Sequence, residues 1–86
     1  MIDDALLAML RCPETRSRLR RIGEEALGRL NGGIAARQIQ NRAGQLVERP
    51  LEDGLIREDA AVAYPVWDGM PMLLVDEGIP LPKDVM

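Results

Sequence analysis

The chain has no histidine, no phenylalanine and a single cysteine, Cys12, among its 86 residues. Each gap excludes something. One thiol cannot close an internal disulfide, and a structural zinc site draws about four ligands from Cys and His. The two commonest braces of a small domain are therefore missing. Without histidine there is also no imidazole base to activate a nucleophile. Only Tyr64 and Trp67 are aromatic, so a stacking platform for unpaired bases has little to draw on. No apolar run approaches the ~18 residues of a membrane span. Met1–Leu10 carries Asp3 and Asp4 and lacks a basic start, so it does not read as a signal peptide. Together with the lone thiol, this gives a cytoplasmic expectation.

What remains is an aliphatic core built from Ala, Leu, Ile, Val and Met. The net charge of −3 is unevenly spread: residues 1–43 carry +3 and residues 44–86 carry −6. The basic share is concentrated in Arg11, Arg16, Arg18, Arg20 and Arg21. A uniformly basic nucleic-acid binder would look different.

Local patterns predict an α+β domain, a small antiparallel sheet of three to four strands with one or two packed helices. "DDALLAML", 3–10, reads as a short helix with an Asp cap; Leu6, Leu7 and Leu10 share a face, and Pro13 stops it. "RSRLRRI", 16–22, reads as a strand with Arg16, Arg18 and Arg20 on one face and Leu19 anchoring the other. "EEALGRLNGGIAARQ", 24–38, places Leu27, Leu30 and Ile34 at helical spacing. Gly32 and Gly33 weaken it by about 1 kcal/mol each relative to Ala. One helix with a weak middle is the first reading, two short helices hinged at "NGG" the second. "IQNRAGQLV", 39–47, is hairpin-like, with Gly44 suited to a left-handed position. Strands are expected at 54–58, 61–66 and 70–76, with an Asp-Gly turn at 67–69. Pro65 and Pro71 belong at edges, strand ends or bulges. Residues 1–79 are read as one domain with an insertion at about 22–53, and residues 80–86 as a tail.

Two stretches carry a family resemblance: "LLAMLRCPET", and "GLIREDAAVAYPVWDGMPMLLVDEGI" with its string of Tyr64, Pro65, Asp68, Gly69, Pro71, Leu73 and Leu74. They resemble the zinc-ribbon-like "Trm-one-twelve" family of methyltransferase activator subunits and its short bacterial relatives, over roughly residues 6–19 and 54–79. The family reads CP-x-C near its start and has a second Cys pair before the YP segment. The resemblance therefore places Cys12, Thr15, Arg57 and Ala60 at the four ligand positions. Three of the four are not metal donors, which implies a degenerate ribbon with Cys12 a vestigial ligand, no metal and no cofactor. Apolar residues of 22–53 are the candidates to replace the lost metal's stabilisation, at roughly 1.5–3 kcal/mol per buried side chain.

The function the resemblance implies is non-catalytic: binding and stabilising an S-adenosylmethionine-dependent methyltransferase acting on RNA or a translation factor. The expected partner surface is Tyr64, Trp67, Met70, Met72 and Leu74, with a sheet edge open to strand addition. The plain alternative for Trp67 is that it folds back over a thin core. For Cys12 the alternative to a thiol function is a small buried hydrophobe. For Arg16, Arg18 and Arg20 it is a solvated face paired with the acidic half, against an RNA-phosphate contact. Paired carboxylates such as Glu24/Glu25 and Glu58/Asp59 read as caps and turns. An RNA-binding ribbon and a self-associating structural protein, a homodimer, stand as the other functions.

Overall fold

A computed structural model describes residues 3–81. It is an α+β fold: a curled antiparallel five-stranded sheet with two helices. The elements are α1 (Asp4–Met9), β1 (Leu19–Arg21), α2 (Glu24–Ala35), β2 (Asp53–Arg57), β3 (Val62–Trp67), β4 (Met70–Pro71) and β5 (Ile79–Pro80). The strands run in the order β1-β2-β3-β4, and β5 joins the same edge of β3 as β4.

The register explains how three prolines fit this sheet. Val66 faces Pro71 and Val62 faces Pro80. Both pairs fall where the backbone groups of β3 point towards β2, so neither proline is asked for an N–H. Pro65 has its ring nitrogen on the other edge, in the gap between β4 and β5. Its carbonyl still accepts from the Met72 amide at 2.9 Å. The missing donor thus falls where no strand runs. The same gap corrects the strand expected at 70–76. Pairing stops at Pro71, and the chain loops out through a 3-10 turn at Val75–Glu77 before returning as β5. Sheet pairing continues into the segment read as tail, with Leu81 donating to the Ala61 carbonyl; residues 82–86 lie outside the described residues.

β3 is buried on both faces from Val62 to Val66, because alternate side chains feed two separate clusters. On one face Ala63 joins Ile22, Leu30, Ile34, Val47, Leu51, Ile56 and Ile79 under α2. On the other, Val62, Tyr64 and Val66 join Cys12, Leu19 and Leu55, with Leu7 from α1, Leu10 just after it and Leu73 laid over them. The insertion 22–53 supplies most of the first cluster.

α2 is one continuous helix through "NGG". Burial of Leu30 and Ile34 outweighs the propensity cost of the glycines. Asn31 adds a tie: its amide donates to the Leu51 carbonyl at 2.9 Å and accepts from the Leu51 amide at 2.8 Å. The 39–47 hairpin forms as expected, with the Val47 amide donating to Ile39 and Gly44 at φ +80°. At the β3–β4 turn Asp68 and Gly69 both have positive φ, the backbone that a tight hairpin needs and that Asp-Gly supplies. α1 is capped by Asp3, whose carboxylate accepts from the Leu6 amide. It buries no residue fully.

Candidate functional site

The chain around Cys12 makes two facing turns. In the first, the Arg16 amide donates to the Cys12 carbonyl at 2.8 Å; in the second, the Ala60 amide donates to the Arg57 carbonyl at 2.7 Å. Arg16 and Ala60 both take left-handed backbone, at φ 61° and 62°. The register that sets Leu19 opposite Arg57 brings the turns together at one end of β1 and β2.

Between them lies a network of charges centred on Arg57. Its Nε and Nη2 each donate to Asp59 at 2.8 Å, and its Nη1 donates to Glu14 at 2.7 Å. Arg42, from the 39–47 hairpin, also donates to Glu14. The Arg57 side chain is only 12% exposed, so its bonds are shielded better than surface pairs. Arg42, and then Arg57, hold the Glu14 carboxyl below its usual range. Arg57 does the same to Asp59. Asp59 in return raises the Arg57 guanidinium.

Cys12 sits beneath this network, 1% exposed, sharing a 3.0 Å hydrogen bond with the Tyr64 hydroxyl. Burial raises the thiol's pKa, but hydrogen bonds from Thr15, Tyr64 and the Thr15 and Glu14 amides outweigh it and bring it down from 9.0 to about 7. Tyr64 moves the other way: burial, and then the Cys12 sulfur beside it, push its phenol well above the ordinary value.

The structure therefore brings Cys12, Thr15 and Arg57 into one cluster, with Ala60 closing the second turn. The side chains do not fit a metal. Thr15 and Ala60 are not zinc ligands, and Arg57 places a cation where the ion would stand. Among the described residues no three His, Cys, Asp or Glu side chains form a metal-holding group. Sequence reasoning counted Arg57 as a lost ligand and missed it as the hub. Its partner Glu14 lies 43 residues away, and no local pattern pairs them.

The expected partner surface does not stay together. Tyr64 is fully buried and cannot meet a partner. Trp67 folds back: its indole N–H donates to the Pro50 carbonyl at 2.9 Å. Its ring lies 5.3 Å from the Arg49 guanidinium carbon, in cation–π contact. Met72 is half-buried. Met70 and Leu74 are exposed, at 66% and 60%, and are joined by Leu6 (44%), Met9 (77%) and Val75 (37%). These last four residues adjoin Leu7, Leu10 and Leu73, which cover the Cys12–Tyr64 cluster.

The basic stretch is also rearranged. The regular strand starts at Leu19, and Arg16 lies in the turn, so Arg16 does not continue the face of Arg18 and Arg20. Arg11 pairs opposite Arg18 instead. The expected pairing with the acidic half is absent: among the described residues Arg16, Arg18 and Arg20 carry no ion pair, while Arg21 takes Asp4. Two surface depressions of about 160 and 230 Å³, lined in part by Glu52, Asp53, Glu58 and Asp59, fall below the ~300–1,000 Å³ of small-molecule sites. Among the described residues no helix is long and apolar enough to cross a membrane.

No family model matches the chain. It is 32% identical over 83 residues to a UPF0434 protein of Vesicomyosocius okutanii subsp. Calyptogena okutanii (strain HA), covering 96% of this chain and 92% of that protein. The solution NMR structure of XF2673 from Xylella fastidiosa superposes with a TM-score of 0.73 at 30% identity, covering 92% of this chain and 81% of the other. The chain belongs to the UPF0434 family.

Proposed function

We propose that this UPF0434 protein is a non-catalytic docking protein that binds and stabilises an S-adenosylmethionine-dependent methyltransferase acting on RNA or a translation factor. The methyltransferase comes from the resemblance of the Cys-Pro and YP-x-x-DG-x-P-x-LL segments. The observation that carries the docking reading is the thin cover over the Cys12–Tyr64 face. α1 and the loop after β4 bury Leu7, Leu10 and Leu73 only in part, and leave Leu6, Met9, Leu74 and Val75 facing water. An enzyme that covers these four gains roughly 25 cal/mol per Å² of apolar surface removed from water. This surface replaces the one built on Tyr64 and Trp67.

Strand addition is the weaker route. β1 is three residues long and charged, which blunts an edge. The opposite edge is interrupted by the 72–78 loop and tied to the 39–47 hairpin through Arg42 and Ala43 amides donating to Gly78 and Asp76. Chemistry, on this reading, belongs to the partner. The cysteine is buried and its thiol is already hydrogen-bonded.

The test is affinity purification of the tagged full chain at native expression, with mass spectrometry. A methyltransferase is expected with wild type and is lost with Met9→Asp or Leu74→Asp, whose melting temperatures stay unchanged. Recovery of no such enzyme overturns the proposal. Light scattering separates it from closure of the same face on a second copy, which would appear as a dimer of the pure protein.

A further inference from the structure

We infer that the ribbon from Arg11 to Arg20 is a contact surface for the phosphate backbone of a nucleic acid. The chain has ten arginines, and all lie within the described residues. Six are matched to carboxylates: Arg21 to Asp4, Arg29 to Glu25, Arg37 to Glu48, Arg42 to Glu14, Arg49 to Glu52 and Asp68, and Arg57 to Glu14 and Asp59. The four without a carboxylate among the described residues are Arg11, Arg16, Arg18 and Arg20. All four are exposed, and all stand on the one ribbon at the β1 end of the sheet. In a chain of net charge −3, such segregation is not a by-product of excess base.

The arrangement works against the fold. Arg11 and Arg18 are directly opposed across an antiparallel bridge, where like charges repel. Arg16 holds a left-handed backbone at φ 61°, which a side chain rarely adopts without cause. Glu58, the next residue along the line of β2, forms no ion pair with Arg18. An external anion resolves the repulsion.

Alternation places Arg18 and Arg20 on the same side of β1, about 7 Å apart along the strand. Arg11 joins them across the bridge, where one Nη donates to the Ala8 and Leu10 carbonyls at 2.8 Å and the rest of the guanidinium stays free. Three guanidinium forks in a short row suit a repeating phosphate, which arginine grips with two parallel hydrogen bonds. Among the described residues the ribbon has no aromatic group beside it. The contact is therefore to backbone and not to stacked bases, and it is insensitive to sequence. An acidic protein surface is the competing partner. The regular row of Arg11, Arg18 and Arg20, with Leu19 turned inward to the core, favours the polymer of phosphates.

The test uses the full chain against fluorescent short RNA and DNA duplexes, their single strands and polyglutamate, by anisotropy across a salt series. For a duplex, log affinity is expected to fall with log salt at a slope of about −3, from three released counterions. Arg18→Gln with Arg20→Gln should flatten that slope by about 2. Arg29→Gln with Arg37→Gln serves as the charge-matched control and should leave it unchanged. Circular dichroism melts confirm that each variant folds. RNA bound more tightly than DNA assigns the backbone to RNA, and equal binding assigns it to either polymer; both support the inference. No duplex binding at low salt overturns it. So does polyglutamate binding as tight as the duplexes, or an equal loss in the control variant. The inference is independent of the docking proposal: Met9→Asp and Leu74→Asp should leave duplex binding intact.

Discussion

Replacing Tyr64 with Phe removes one oxygen from the centre of the smaller core cluster. The ring stays, so packing against Leu19, Val62 and Val66 is kept and no cavity forms. What is lost is the 3.0 Å hydrogen bond to Cys12. A buried neutral hydrogen bond contributes about 0.5–1.5 kcal/mol net. A thiol is a weak donor and a weak acceptor, so leaving it without this partner adds little and the cost stays at about 1 kcal/mol. In a domain this small that lowers Tm by roughly 4–8 °C.

The variant also leaves a signature in pH that simple packing damage would not. The folded thiol's pKa is depressed to about 7 from 9.0, so its stabilising contribution is full above pH 9 and is lost as pH falls through 7. Tyr64, raised from 10.0, contributes with the opposite sign and only above that window. Wild type should therefore gain stability in urea unfolding between pH 7 and 9. Tyr64→Phe, with one donor fewer at the sulfur, should gain less. Equal stability of the two proteins, or parallel pH profiles, would refute the assignment of the Cys12–Tyr64 pair.

Two further outcomes test other parts of the fold. At Gly28 a Cβ would meet nothing within 4 Å, whereas at Gly78 it would lie 2.8 Å from Val62 Cγ1 and 3.1 Å from Tyr64 Cε1; thermal melts should show Gly28→Ala stabilised by up to about 1 kcal/mol and Gly78→Ala destabilised by about 1–3 kcal/mol. Glu14 and Asp59 have depressed folded pKa values, so their contribution is present above the ordinary carboxylate range and lost as pH falls below it. Arg57→Met, which keeps the stem and removes the guanidinium, should flatten the acid limb of the wild-type stability curve between about pH 5 and 2, and an unchanged limb would count against the network.

Much of the fold could be read from local chemistry. Leu27, Leu30 and Ile34 announced α2, Asp68-Gly69 announced the β3–β4 turn, and Gly44 announced the hairpin tip. Each signal depends on backbone freedom or side-chain periodicity within a few residues. The failures have a different origin. β4 ends at Pro71 because β3 is shared end to end with β5, a fact of tertiary register that the apolar run 70–76 conceals. Tyr64 lies within an unbroken apolar stretch, and only the presence of a second covered face shows that its hydroxyl points inward to a thiol. Trp67 is turned by Pro50, and Arg57 is matched by Glu14; both partners are remote in sequence. Strand spacing groups Arg16 with Arg18, yet the turn that holds Arg16 does not follow that spacing. The candidate site was thus visible as a set of positions, while its electrostatics were not.

The brevity of α1 has a consequence for how the molecule behaves while intact. Six residues make a helix about 9 Å long, well short of the ~12–15 at which an isolated helix persists in water. It is held by Leu7 and Leu10 leaning on the sheet, by the Asp3 cap and by the exposed Arg21–Asp4 pair. Peeling it away takes Leu7 off the Cys12–Tyr64 cluster, while Leu73 of the loop after β4 stays packed against it. Openings of this kind lie at the low-energy end of a protein's fluctuations. The face beneath α1 can therefore be partly uncovered without breaking a strand pairing of the sheet.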